Sequence, residues 1–153
     1  MKLVKQTKKG FQYQLNPADA EALRFVVKQF PVTAFTPVQV SKTGSQEEER
    51  EELLNESLAA HGNGLKQKAR NFIRRDKFKI SGEKQFYRLS LEARETLLQI
   101  LNDIRVESWR MLGEPDDLEM NILRLPQGKI RYYQLMRLAG YFECHFLNLE
   151  GLD

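Results

Sequence analysis

The sequence holds one cysteine, Cys144, in 153 residues. A single thiol closes no internal disulfide and supplies neither a CxxC redox motif nor a cysteine zinc site. Histidine is as scarce: His61 and His145 stand alone, without HxxxH or any other metal-ligand spacing. No GxGxxG, GxxxxGK[ST] or GxSxG segment occurs, so phosphate-cradling loops and a nucleophile elbow are missing. Nowhere do 18 apolar residues stand together, and "MKLVKQTKKGF" lacks the apolar run of a signal peptide. The expectation is a cytosolic chain with no membrane segment. Internal repeats and low-complexity tracts are also missing.

These gaps predict a chain with no catalytic residues, no cofactor and no metal. Cys144 does adjoin His145, but neighbouring helical residues point about 100° apart, which is no nucleophile–base geometry. Cys144 is read as a small residue packed on a helix face. Asp116 and Asp117 are read as solvated residues opening a helix rather than as metal ligands.

What is present is an ordinary globular composition, with 41% hydrophobic and 29% charged residues. A chain of this length buries roughly two-thirds of its unfolded surface in one core. The net charge of +3 hides an uneven distribution. From Gln46 to Ala60 there are six Glu against one Arg, and from Leu65 to Arg88 nine Lys/Arg against Asp76 and Glu83.

Periodicity supplies the elements. "KLVKQ" and "FQYQL" alternate around "TKKG", a hairpin with Gly10 available for a positive φ. "NPADAEALRFVVKQF" starts a helix with Asn16 as N-cap and Pro17 at its first position, and Pro31 stops it. Residues Pro31 to Gly44 form the expected long loop. Ser45 and Glu48 make a capping box for an acidic helix that "HGNG" ends, and a separate basic helix follows from Leu65. "KFKISGEKQFYRL" suggests a second small hairpin, and Ser90 caps a long helix that runs to Gly113. "EPDDLEMNILRL" suggests a short helix, and Gln127 to Leu149 a final one. The expected fold is mostly α: a single domain over 1–153, with a β-hairpin at 1–15 and a helical bundle over 16–153.

Three surfaces invite a function. Acidic helix, turn, basic helix and hairpin follow the order of a winged helix. In that reading Lys66, Arg70, Arg74, Arg75, Lys77, Lys79, Lys84 and Arg88 contact phosphate; otherwise they are a solvated face offset by the acidic helix. The final helix has two apolar sides. Leu135, Leu138, Ala139, Phe142, Phe146 and Leu149 form its core stripe, while Ile130, Tyr133, Arg137, Tyr141 and Cys144 form a second face for a neighbouring helix or a partner protein.

The third surface is polar. Leu97, Leu101, Ile104, Met111 and Leu112 share one arc of the central helix, extended by Leu98 and Trp109, and Arg105 falls inside it. Glu143 intrudes in the same way at the edge of the final helix's arc. Packing these helices together joins Arg105 and Glu143 in a partly buried, charge-assisted pair, with Asn102 taking a further bond. Asp103 is placed on the polar side.

"LRFVVKQF", "LQILNDIRVESWRMLG" and "YYQLMRLAGYFECHFLNL" occur in that order. They resemble landmarks of a bacterial family of AosR-type oxidative-stress regulators, often encoded beside the ClpS protease adaptor. The resemblance implies a mostly helical fold and a non-enzymatic role in transcriptional regulation through partner proteins. Redox-sensing members carry a close cysteine pair near the N-terminus; no cysteine precedes Cys144 here, so that sensing does not transfer. The expected function is protein binding by a non-enzymatic regulator, with nucleic-acid binding by the 65–88 segment as the alternative.

Overall fold

Both runs at the N-terminus are strands, β1 (Lys2–Thr7) and β2 (Gly10–Leu15). Phe11, Tyr13 and Leu15 turn inward from β2, while Gln12 and Gln14 take the opposite face, as the pleat requires. The computed structural model describes residues 1–33, 45–74, 77–81, 83–116 and 122–148, with the side chains of Ser45 and Ile80 excepted. Gly10 is required where it stands. Its φ is +147°, and a β-carbon there would lie 2.2 Å from the Leu89 carbonyl oxygen.

Helix α1 (Pro17–Lys28) starts as its sequence indicates: the Asn16 side chain accepts a bond from the Asp19 amide at 2.7 Å. Ala20, Leu23, Val26 and Val27 are its buried residues. The expected loop falls largely at 34–44, outside the described residues.

The largest departure from expectation comes next. Residues Ser45–Phe72 form one helix, α2, running straight through "HGNG". The expected break, and with it the helix–turn–helix order of a winged helix, is not there. Two glycines cost about 1 kcal/mol each relative to alanine, and no proline interrupts the run. Leu65 and Ala69 are buried in the core beyond them, and Gly62 is itself buried, so tertiary anchoring carries the helix across. The Ser45–Glu48 capping box lies outside the described side chains.

Strands β3 (Phe78–Ser81) and β4 (Lys84–Leu89) form the second hairpin. The two hairpins are not separate. Strand β2 pairs antiparallel with β4, Tyr13 opposite Tyr87, giving a four-stranded sheet of order β1-β2-β4-β3. Helices α1, α3 and α4 pack on the sheet, and one core contains Phe11, Tyr13 and Leu15 together with helical residues. The mostly helical class therefore holds. The division into a hairpin and a helical bundle does not, because the sheet is a wall of the core.

Helix α3 (Leu91–Met111) is capped by Ser90, whose hydroxyl accepts from the Ala93 amide at 3.1 Å. Helix α4 (Gln127–Leu147) follows Pro126 and ends at Asn148 in the left-handed conformation. In the stretch expected to be a short helix, Ile122–Arg124 form a 3-10 turn, and 117–121 lie outside the described residues.

The most extensive contact between elements joins α3 and α4. They run antiparallel, and each supplies a cation to the other's orphan C-terminal carbonyls. Arg94, in the first turn of α3, donates from Nε at 2.9 Å and Nη2 at 2.6 Å to the Phe146 carbonyl. Lys129, in the first turn of α4, donates to the Met111 carbonyl. The sheet does the same with two buried tyrosines: Tyr13 donates to the Phe146 carbonyl at 3.0 Å, and Tyr87 to the Phe72 carbonyl of α2 at 3.2 Å. Burial pushes both phenols above their ordinary pKa, with Arg94 opposing the shift at Tyr13.

Candidate functional site

Between those end ties, Arg105 Nε donates to Glu143 Oε2 at 2.8 Å, and Arg105 Nη2 donates to Asn102 Oδ1 at 2.8 Å. The two partners are unequally buried: the Arg105 side chain is 45% exposed and the Glu143 side chain 15%. Burial raises the Glu143 pKa, and the Arg105 charge and hydrogen bond oppose that rise.

Arg105 does not lie inside the apolar arc. The buried residues of α3 are Leu97, Ile100, Leu101, Ile104 and Ser108, whereas Leu98, Trp109, Met111 and Leu112 are only partly covered. Burial of Ile100 and Ser108 turns the core stripe away from Arg105, which sits at its margin. Asp103 is not on an open polar side either. It is half-buried, and burial, then repulsion from Glu107, raises its pKa, while His61 opposes the rise.

Beside the ion pair, α3 and α4 enclose a groove of about 710 Å³. Val106 and Trp109 come from α3, Met136 and Tyr141 from α4, and Arg105 and Arg137 add positive charge. Gly140 lies in its wall, where an added β-carbon would reach 3.7 Å from Arg105 Cδ. Cys144 and His145 line the same groove. Cys144 is exposed, and the His145 ring stands edge-on to Tyr141 at 4.2 Å. Of the second face expected on the final helix, Arg137, Tyr141 and Cys144 meet in this groove. Ile130 and Tyr133 are half-buried and do not line it.

Met136, Trp109 and Val106 were not legible as groove residues, because only the docking of α3 on α4 brings them together. Arg94 was missed for the same reason: its partner carbonyl is 52 residues away.

The basic residues of the 65–88 segment are distributed over α2, β3, β4 and the chain between them. Lys66 and Arg70 are exposed on α2, Arg74 just beyond it, and Lys77 ahead of β3, whereas Lys79, Lys84 and Arg88 are exposed on β3 and β4. Arg75 lies outside the described residues. Among the described residues, no group of three or more His, Cys, Asp or Glu is placed to hold a metal ion, and no helix is long and apolar enough to cross a membrane. Comparison with protein-family models, curated proteins and solved structures finds no match, so the family resemblance rests on the three quoted segments alone.

Proposed function

We propose that the chain is a non-enzymatic regulator that binds a partner protein, receiving an apolar, acidic segment of it in the α3–α4 groove. The groove's composition carries this reading. Trp109, Met136 and Tyr141 are the large, polarisable side chains favoured at binding hot spots. Arg137 is exposed and in no ion pair among the described residues, so it complements a partner carboxylate. A volume of about 710 Å³ admits a few side chains of a helix laid in the groove. The regulatory role follows from the resemblance to AosR-type regulators.

Selection from a phage-displayed random peptide library tests the reading. The expected winners pair apolar anchors at helical spacing with Asp or Glu, and a synthetic winner slows alkylation of Cys144. Binding is lost in Val106→Glu and Arg137→Glu. Winners with basic consensus, or peptides bound equally by both variants, refute it.

A further inference from the structure

The sheet has a second face, on which the cations are exposed and Gln12, Gln14 and Phe86 half-buried among the described residues, and its chemistry differs from that of the groove. None of the four strands contains Asp or Glu, and they carry Lys2, Lys5, Lys79, Lys84 and Arg88. All five are exposed, and none forms an ion pair among the described residues. The strand register aligns them in two rows. One row crosses the whole sheet as Lys2–Gln14–Phe86–Lys79, and the next reads Lys5–Gln12–Arg88. An aromatic ring thus stands mid-sheet with amides and cations around it. A hollow of about 350 Å³ closes the second row, lined among others by Lys5, Lys9, Gln12 and Arg88.

We infer that this face binds single-stranded RNA, with the cations on phosphates and Phe86 stacking one base. The charge calls for a polyanion. The geometry selects its form. Three strand spacings make the sheet about 14 Å wide, too broad for the roughly 12 Å major groove of a duplex. An open sheet presenting an aromatic ring accepts an unstacked base instead. The amides of Gln12 and Gln14 and the Ser81 hydroxyl offer donors and acceptors to base edges and to the 2′-hydroxyl, which favours RNA over DNA. The surface shares no residue with the α3–α4 groove, so either assignment stands without the other.

Fluorescence anisotropy with a labelled oligouridine on the full chain tests this. Binding is expected at about 50 mM salt, with log affinity falling against log salt by roughly 0.7 per phosphate contact. Lys79→Gln and Arg88→Gln each lower both affinity and slope, and both positions are exposed enough to leave the fold intact. Phe86→Leu lowers affinity about tenfold with the slope unchanged, the signature of lost stacking rather than lost charge. No binding at low salt overturns the proposal, as does equal binding of duplex. Equal binding of oligodeoxythymidine overturns the RNA assignment. Loss of binding in Lys66→Gln with Arg70→Gln, but not in the strand variants, places the site on α2 and overturns it too.

Discussion

Arg105→Gln and Glu143→Gln remove opposite ends of one ion pair, yet they should not cost the same. Glu143 is the more buried partner, at 15% exposure against 45% for Arg105. Losing the carboxylate leaves a guanidinium that is half in water and still bonded to Asn102. The amide that replaces the carboxylate also keeps an oxygen acceptor for Arg105 Nε, so Glu143→Gln should cost under about 1 kcal/mol. Losing the guanidinium leaves a largely buried carboxylate without its cation. That penalty lies between the roughly 0–1 kcal/mol of exposed pairs and the 3–5 kcal/mol of buried ones, and the half-exposed arginine sets it at about 2 kcal/mol near neutral pH.

The pH dependence separates this cause from simple loss of packing. In the folded chain burial holds the Glu143 pKa above its unfolded value. Between those two values the folded state carries more protons, so this group's contribution to stability falls as pH rises through the window. Arg105→Gln deletes the interactions that oppose the shift and pushes the carboxyl higher still. Its deficit should therefore be largest near pH 7.5 and shrink as the pH falls through the Glu143 pKa. Urea unfolding of the wild type and both variants at about pH 7.5 and pH 5 measures it. A deficit independent of pH, or Glu143→Gln costing more than Arg105→Gln, refutes the reasoning.

Other expectations follow from single contacts. Gly10→Ala should destabilise by about 2 kcal/mol or more, because its β-carbon meets the backbone oxygen of Leu89, and thermal unfolding will show it. Ser108→Ala should be neutral or stabilising by up to about 1 kcal/mol in urea unfolding, since the Ser108 hydroxyl is fully buried and has no hydrogen-bond partner among the described residues. Arg94→Met should cost about 2 kcal/mol and raise amide exchange selectively in the last turn of α4, whose Phe146 carbonyl it leaves with Tyr13 alone.

Local signals were legible wherever a residue acts on its own neighbours. Asn16 and Ser90 cap the helices their positions indicate, and Gly10 needs the positive φ that its turn suggested. The alternation of "FQYQL" and "QFYRL" located two strands, but nothing local states that Tyr13 lies opposite Tyr87, so the joined sheet stayed hidden. Helix α2 failed in the opposite direction. "HGNG" is a genuine local stop signal, and burial of Leu65 and Ala69 overrides it. On α3 the error was one of phase. A helical wheel weighs every apolar residue alike, so it draws the partly covered Leu98 and Leu112 into the arc, and it gives no weight to Ser108, which is polar yet buried with Ile104 and Leu97.

The pairing of α3 with α4 has a consequence for the groove it creates. Arg94 and Lys129 fix the two ends of the antiparallel pair, and Arg105 with Glu143 fixes a point between them. A slide of one helix along the other would break all three polar contacts together, at about 1.5–3 kcal/mol for each charged bond lost. Such contacts add less to net stability than to the choice of one register. Register is what the groove depends on, because Val106 and Trp109 face Met136, Gly140 and Tyr141 only in this alignment. On the proposed reading, a partner entering a groove already held in shape has less side-chain ordering to offset, which favours affinity from a small contact area. The arginine at the margin of the apolar stripe thus serves the groove by holding its walls in step.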